Sequence, residues 1–310
     1  MTTRPFTCTI ATIAGATLIA SILAAAPAAT QEPPRGAPQT DQTVEATHGS
    51  RFSLESLNGD VTVRGWDKDA VRVRAWHASG VRLTVRTSRS SGVTVEDTSD
   101  HGPRPVEYEI DLPRWMPVAI EVTYDDITVE GVQSDVSAES GRGSITIKGA
   151  AGSVHAETVQ GKVIVEAAKA KVEVSTVNDE IRLSDIIGEV TAETTNGAIT
   201  MARIASPSVE AATVNGAVTY EGSVADDGHY TFTTHNGDIT VMVPERSNLT
   251  LDVRTYNGTF KPDLPVSGTR PTRKGARGVY TLGNGAAQME LETFGGTIRL
   301  QGSGGGKEEQ

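Results

Sequence analysis

An Asn-Gly dipeptide recurs along the chain at a nearly constant interval, each time between segments in which apolar and polar residues alternate. Examples are ESLNGDVTV at 55, ETTNGAITM at 193, ATVNGAVTY at 212 and TTHNGDITV at 233. Measured at the glycine position from Gly143 to Gly258, the interval is 18 to 21 residues. A repeat of this length is typical of solenoids and arrays, in which each unit buries its apolar face only against its neighbours.

The aligned repeats define columns of like residues. A hydroxyl residue stands three places before the glycine position, at Ser56, Ser140, Thr158, Thr176, Thr194, Thr213, Thr234, Thr255 and Thr293. An amide stands one place before it, at Asn58, Gln160, Asn178, Asn196, Asn215, Asn236 and Asn257. Apolar residues follow two and four places after it. Each unit is therefore predicted to be a strand, an Asn-Gly corner, a second strand and a looser second corner.

Two architectures fit this unit. Asn-Gly between alternating strands is a strong hairpin signal, and a two-residue turn would place Thr158 opposite Val163 in an antiparallel meander. Alternatively, the corner turns the chain through one coil, and coils stack in parallel register about 4.8 Å apart. Only the stack explains why each column keeps its chemistry, because stacked side chains can hydrogen-bond along the axis.

We therefore predict an all-β fold, a parallel β-solenoid with 18 to 21 residues per coil and right-handed winding. The predicted structural ladder comprises Thr158, Thr176, Thr194, Thr213, Thr234, Asn178, Asn196, Asn215, Asn236 and Asn257. In one repeat Asp179 replaces the glycine, and we expect it to tolerate a left-handed corner. From Gly258 to Gly296 the interval is 38 residues, which predicts two further turns.

Residues 61 to 122 break the period. AVRVRAW and GVRLTVR alternate well and are joined by HASG, so they predict an antiparallel hairpin. A solenoid needs covered ends, because an open last coil exposes unpaired backbone groups. We therefore expect antiparallel hairpin segments to flank or cap the coils.

The N-terminal residues have the order of a secretory leader. Arg4 precedes a mostly apolar run, and Ala26 and Ala28 fit the A-x-A cleavage rule. An uncleaved single-span anchor is the alternative, since the run is close to the roughly 20 residues that cross a bilayer. The predicted organisation is a signal peptide at 1–28, a flexible linker at 29–43, the strand-repeat domain at 44–301 and a disordered tail at 302–310.

Cysteine usage and charge narrow the function. Cys8 lies in the predicted leader and is the one cysteine of the chain, so the mature fold must be held without disulfides. The formal charge of −11 argues against nucleic-acid binding, which needs a basic footprint. We expect an exported protein, periplasmic or at the cell surface, with no transmembrane span after cleavage.

An arginine-rich segment is a candidate binding surface. Arg72, Arg74, Arg82 and Arg86 alternate with apolar residues. Such a stripe could hold the phosphate or carboxylate groups of an anionic glycan or lipid headgroup. The alternative is a solvated strand face whose charges discourage edge pairing. A second basic run, which loop solubility explains, comprises Arg270, Arg273, Lys274 and Arg277.

Two groups of acidic residues are candidate sites of chemistry. Asp226, Asp227 and His229 fall together, but no further ligand stands at a recognised metal-binding spacing. Asp125 and Asp126 are adjacent, and adjacent strand residues point to opposite faces, which prevents two-carboxylate catalysis unless the chain bulges. With no nucleophile signature and no phosphate loop, we expect no catalytic residue, no cofactor, no metal and hence no enzyme.

An outward column stands two places before the glycine position and is largely apolar. It comprises Leu57, Val159, Val177, Thr195, Val214, His235, Tyr256 and Phe294. Either a flanking segment covers this column, or it is bare and forms a contact strip for a partner.

The leader, the recurring ETxNGxIxV phrase and second corners such as VEGVQSDV at 129 and IKGAAGSV at 147 resemble the bacterial putative-adhesin family of β-strand-repeat domains. This family includes toast-rack-like domains of unknown function. The resemblance covers most of Val44 to Leu300. It implies adhesion or envelope scaffolding through an extended surface, with a cell-envelope glycan, lipid or protein as partner. The alternatives are a glycan-active β-helix enzyme, a lyase or hydrolase, and a component of an envelope-stress sensing system.

Overall fold

The computed structural model describes residues 36–88, 92–99, 102, 104–268 and 277–303. Every regular element in these ranges is a β-strand, and none of their residues forms a helix that could span a membrane. The predicted signal peptide, residues 29–35 of the predicted linker and residues 304–310 of the predicted tail lie outside the described residues. The same holds for Arg270, Arg273 and Lys274.

The strands are numbered in chain order. The first thirteen are Thr40–Glu45 (β1), Phe52–Asn58 (β2), Val61–Trp66 (β3), Ala70–His77 (β4), Val81–Ser88 (β5), Gly92–Ser99 (β6), Val106–Pro113 (β7), Val118–Tyr124 (β8), Ile127–Glu130 (β9), Val136–Arg142 (β10), Ile145–Lys148 (β11), Val154–Gln160 (β12) and Val163–Glu166 (β13). The others are Val172–Thr176 (β14), Ile181–Ser184 (β15), Val190–Thr194 (β16), Ile199–Thr213 (β17), Val218–Thr234 (β18), Ile239–Val243 (β19), Leu249–Thr255 (β20), Thr259–Pro262 (β21), Ser267–Gly268 (β22), Gly278–Leu282 (β23), Ala287–Thr293 (β24) and Thr297–Gly302 (β25).

The repeats form parallel coils and not hairpins. Thr158 of β12 lies opposite Thr176 of β14, and Val163 of β13 lies opposite Ile181 of β15. The strands before the Asn-Gly corner therefore stack into one sheet, called the first sheet, and the strands after it stack into a second sheet. β17 and β18 each continue from the second sheet into the first. The prediction of a parallel β-solenoid is confirmed.

The core is built from small and branched side chains. Along β12, Val154, Ala156 and Thr158 are buried, whereas His155 and Glu157 are exposed. The inward positions of the other coils carry mainly Val, Ile and Ala, which pack well on closely stacked strands. Alternation thus commits half of each strand to the core and leaves the other half to carry a site.

The coils at the C-terminal end do not follow chain order. β24 pairs with β18 on one edge and with β20 on the other, and β25 likewise lies between β19 and β21. The last coil is therefore inserted under the coil that precedes it in the chain. The prediction of two further turns after Gly258 is wrong, because the chain goes out to the end coil and then returns inward.

The N-terminal end has the same arrangement. β2 lies between β6 and β8, and β3 lies between β7 and β9, so the first coil of the chain is inserted inside the coil of β6 and β7 that follows it. Antiparallel strands then flank the stack, with β5 on β6, β4 on β7, β1 on β4 and β23 on β20. The expected antiparallel flanking segments are confirmed. The hairpin between β4 and β5 is wrong, because β4 has β1 and β7 on its two edges.

The glycine of the Asn-Gly corner permits close stacking. A Cβ atom at Gly216 would lie 1.8 Å from the carbonyl oxygen of Gly197 in the neighbouring coil, although the φ of Gly216 is outside the left-handed region. The non-glycine residues with positive φ are Asp125, Ala167, Asp185 and Arg203. The expectation of a left-handed Asp179 is therefore wrong. At Gly216 the corner requires room for the carbonyl of the preceding coil.

The buried hydroxyl column hydrogen-bonds along the axis. Thr158 Oγ1 donates to the carbonyl of Gly143 at 2.9 Å, and Thr176 Oγ1 donates to that of Gly161 at 3.0 Å. The same bond to the glycine position of the neighbouring coil is made by Thr194, Thr213 and Thr234. Each threonine thus ties its strand to the corner of the preceding coil.

The amide column forms a second ladder on the outside of the corner. Asn196 Nδ2 donates to Asn178 Oδ1 at 3.0 Å, and bonds of 2.9 Å link Asn215 to Asn196 and Asn236 to Asn215. Asn257 was predicted to extend this ladder. The inserted last coil places Gly295 between Asn236 and Asn257, so Asn257 does not follow Asn236 in the stack.

Candidate binding surface

The four arginines predicted to hold anionic groups do not share one face. Arg72 and Arg74 lie on β4, which continues the second sheet, whereas Arg82 and Arg86 lie on β5, which pairs with β6. Arg72 donates to both carboxylate oxygens of Asp41, at 2.9 and 2.7 Å. This side-chain hydrogen bonding holds the pKa of Asp41 below its ordinary value.

Strand pairing supplies partners for these arginines. Arg74 contacts Glu109 and Asp111, each at 2.9 Å, and Arg86 lies 3.4 Å from Glu96. The partners of Arg74 come from β7, some 35 residues further along the chain. Binding of an anionic ligand would have to displace these internal pairs, and that role remains a prediction.

The candidate acidic residues accept hydrogen bonds from the backbone or from an amide side chain. Asp125 Oδ2 accepts a hydrogen bond from the N–H of Gly59 at 2.7 Å, and Asp126 Oδ1 accepts one from the N–H of Ser144 at 2.6 Å. Asp226 accepts a bond from an asparagine side chain at 3.2 Å. Within the described ranges, no group of three or more His, Cys, Asp or Glu side chains is arranged to hold a metal ion.

A continuous exposed surface follows the first sheet along the axis of the stack. Residues alternate along a strand, so the positions just before and just after each buried hydroxyl both point away from the core. We call the two resulting columns together the outer stripe. In coil order the acidic column is Glu96, Glu55, Glu121, Glu139, Glu157, Ser175, Glu193, Ala212, Thr233, Glu292 and Arg254.

The position after the hydroxyl gives the apolar column of the outer stripe. In the same coil order, and starting at the coil of Glu55, it is Leu57, Thr123, Gly141, Val159, Val177, Thr195, Val214, His235, Phe294 and Tyr256. The two columns run side by side on one face.

The first five coils carry a glutamate at every acidic position. Glu55 lies between Glu96 and Glu121, and Glu139 lies between Glu121 and Glu157. Strands about 4.8 Å apart place these five carboxylates along roughly 19 Å. Glu96 is paired with an arginine, whereas the other four form no salt bridge with any residue that the structure describes. We call these five coils of the outer stripe the acidic half and the remaining coils the apolar half. Cavities of 340 and 200 Å³ adjoin the acidic half.

In the remaining coils the outer stripe is mainly apolar, with Glu193 and Glu292 as the glutamates of its acidic column. Val177, Val214, Phe294 and Tyr256 are 39%, 45%, 41% and 41% exposed. The His235 ring stacks on Phe294 at 4.7 Å between centroids, and Tyr256 lies 5.4 Å from Phe294 on its other side. A groove of about 860 Å³ runs beside these side chains. The described chain therefore leaves the apolar column bare.

The outward face of the second sheet differs in the same coils. Arg64, Glu130, Lys148 and Glu166 follow one another in register. Arg64 lies 3.8 Å from Glu130, and Lys148 lies 3.5 Å from Glu166. Opposite charges therefore alternate along this face and neutralise one another. The uncompensated charge of the outer stripe is not a general property of these coils.

Sequence reasoning found the apolar column and missed the acidic one. The signal is present in the glutamate of the ETxNG phrase at Glu193 and of its variant ETVQG at Glu157. Glu96 and Glu121 carry no such signal, because their segments lack the Asn-Gly phrase. Strand pairing alone brings them beside Glu55.

Comparison with known proteins gives a family match and remote structural similarities. A family model described as Toastrack DUF4097 matches residues 49–301. A putative adhesin from Parabacteroides merdae is 11% identical, with 84% of this chain and 95% of that chain covered and a TM-score of 0.40. A putative adhesin from Bacteroides fragilis is 10% identical, with 84% of this chain and 96% of that chain covered and a TM-score of 0.39. No curated protein matches the chain.

Proposed function

The chain belongs to the Toastrack DUF4097 family, and from this premise we propose that it is a non-enzymatic binding protein of the cell envelope. The family description names an architecture and no reaction. In this proposal the stack of coils is a rigid support, and the outer stripe is the extended surface that contacts a partner.

The exposed apolar half of the outer stripe carries this proposal. Contiguous apolar surface that faces water is uncommon on soluble domains and marks contact sites. Here Val177, Val214, Phe294 and Tyr256 are aligned on one face and are each about two-fifths exposed. The coils could carry polar residues at these positions without loss of core packing, because none of the four side chains points inward.

The arrangement of carboxylates supports binding more than catalysis. Glycosidases need one carboxylic acid in apolar surroundings facing a second carboxylate across the substrate. Glu55, Glu121, Glu139 and Glu157 are all exposed and stand in one line on one side of the stripe. The glycan-active enzyme and the envelope-stress component predicted as alternatives draw no residue-level support from the described ranges.

The envelope location rests on the sequence. Residues 1–28 have the pattern of an export leader, and the chain carries no cysteine beyond Cys8. Fractionation of cells that express the full chain, with mass determination of the N-terminus, tests this part. A chain that stays in the cytoplasm with Met1 intact would overturn it.

The surface itself is tested by binding of the protein, purified from cells that express the full chain, to an array of envelope glycans, lipids and proteins. The double variant Val214→Ser/Phe294→Ser should lose at least tenfold in affinity with an unchanged unfolding temperature. Ile164→Ser is the matched control, because Ile164 points outward from the second sheet of the same stack. Equal binding by the wild type and the double variant would contradict the proposal.

The same array tests the arginine prediction separately. Arg72→Glu/Arg82→Glu reverses two of the charges predicted to hold anionic groups. This variant leaves the outer stripe intact. If it no longer bound acidic glycans or anionic lipids, the arginines and not the outer stripe would be the binding site. Cleavage of any glycan on the array would indicate an enzyme.

A further inference from the structure

We infer that the outer stripe binds a polypeptide segment that is basic along one half and apolar along the other, and that the segment lies along the axis of the stack. This inference rests on the proposed function and specifies the chemistry of the partner.

The acidic half defines the basic part of the partner. Like charges placed directly opposite on neighbouring strands destabilise a sheet. The acidic half nevertheless places Glu55, Glu121, Glu139 and Glu157 on four successive strands. The second sheet avoids this arrangement in the same coils by alternating the sign of its charges. Lysine and arginine side chains of a partner would compensate the column, and polyanions would be repelled by it.

The apolar half defines the other part of the partner. The negative charge is weaker at this end, because the acidic column carries two glutamates there, Glu193 and Glu292, and Glu292 is paired with Arg254 at 3.2 Å. His235, Phe294 and Tyr256 stack there into an aromatic surface beside the groove. Aromatic side chains of this kind supply large contact area at low cost in conformational entropy.

The two halves together identify a polypeptide. The stripe is about 48 Å long over eleven strands, which corresponds to roughly 14 residues of extended chain. A polypeptide can carry cationic side chains and apolar side chains in sequence on one backbone. A neutral glycan would leave the acidic half unused, and a polyamine would leave the apolar half unused.

Fluorescence anisotropy with four labelled 14-residue peptides tests the inference on the full chain. One peptide has lysines in one half and leucines with a tryptophan in the other; the second has glutamate in place of lysine; the third is basic throughout; the fourth has the first composition with the two types interspersed. We expect the first peptide to bind at least tenfold more tightly than the others. Its affinity should fall as salt rises from 50 to 500 mM.

Variants locate the two contacts. Glu121→Gln/Glu139→Gln/Glu157→Gln should lower the affinity for the first peptide at least tenfold in low salt and should flatten the salt dependence of that affinity. Val214→Ser/Phe294→Ser should also lower this affinity but leave its salt dependence unchanged. Glu130→Gln/Glu166→Gln, which removes carboxylates from the second sheet of the same coils, should leave the affinity within twofold.

The outcomes separate this inference from the proposed function. If the stripe variants abolish binding to a glycan or lipid of the envelope array while no peptide binds, the inference is overturned and the proposed function stands. If the first peptide binds equally to the wild type and to both stripe variants, the stripe is not its site and the inference is also overturned. Association of two copies through the stripe, seen by light scattering and lost in Val214→Ser/Phe294→Ser, would replace the peptide with a second chain.

Discussion

The two outward faces of the same coils share a backbone and differ in what their side chains leave unpaired. On the second sheet, Arg64, Glu130, Lys148 and Glu166 alternate in sign from coil to coil. On the first sheet, glutamates stand next to glutamates, and apolar side chains follow them into solvent. Because both faces cover the same core, stability cannot explain the difference. The face that tolerates repulsion and exposed apolar area is the one we assign to binding.

Two substitutions in one repeat distinguish residues that stabilise the stack of coils from residues that contact a partner. Gly216→Val forces a side chain against the carbonyl of Gly197, 1.8 Å from the added Cβ, so the free energy of unfolding should fall by more than about 4 kcal/mol. Val214→Ser, two residues earlier on the outer stripe, should change it by less than about 0.5 kcal/mol. Urea unfolding measures both. A stable Gly216→Val variant that lost only its binding would reverse our assignment of roles.

Acidification should weaken the hydrogen bonds that hold the inserted last coil and so lower the stability of the protein. Asp238 accepts bonds at 2.7 Å from the N–H of Thr297 and from Arg299, which tie the inserted last coil to β19. The backbone bond first, and then the guanidinium, hold the pKa of Asp238 below its ordinary 3.8. A depressed folded-state pKa means that this stability is complete above the ordinary value and is lost as the pH falls below it.

Asp238→Asn should therefore lower the free energy of unfolding at pH 7 by about 1 kcal/mol, since the carboxylate is partly exposed. It should also flatten the loss of stability below pH 3.8. Urea unfolding across the pH range provides the measurement. The Glu121→Gln/Glu139→Gln/Glu157→Gln variant is the control, because its substitutions lie on the outer stripe and leave both hydrogen bonds of Asp238 in place. An acid profile of Asp238→Asn identical to the wild type would rule out this anchor.

Buried and exposed threonines of the stack should also respond differently. Thr176 is buried and donates to the carbonyl of Gly161 at 3.0 Å. Thr176→Val keeps the shape and removes the bond, so we expect a loss of about 1 kcal/mol. Thr200→Val, at an exposed position of the second sheet, is the control and should be nearly neutral. Equal effects in thermal unfolding would mean that the hydroxyl ladder does not stabilise the stack.

The smallest expected effect comes from exchanging the charge patterns of the two faces. Glu139→Lys gives the first sheet an alternating column and should stabilise the protein by about 0.5 kcal/mol. Lys148→Glu places three glutamates in a row on the second sheet and should destabilise it by a similar amount. Both effects should shrink in 1 M salt. If Glu139→Lys were destabilising, the acidic column would carry a structural role that its exposure does not show.

Much of the first sheet could be predicted from the repeat. The hydroxyl and amide columns, the buried alternation and the outward apolar residues all follow from local period and side-chain parity. The predicted arginine stripe is divided between two strands that do not pair with each other. Local alternation places Arg72 and Arg82 on strands with an apolar face, but it does not specify which strands pair. The reason for the corner glycine was also out of reach, because it lies in the approach of the neighbouring coil.

The sequence by itself determined the coil, its length and the chemistry of each inward and outward position, since these depend on residues within one or two repeats. The tertiary structure decided the order of the coils at both ends. Pairing of β24 with β18 and β20 inserts Phe294 between His235 and Tyr256, and pairing of β2 with β6 and β8 continues the glutamate column. Such contacts join segments far apart in the chain and depend on which exposed strand edge each one covers, for which no local pattern exists.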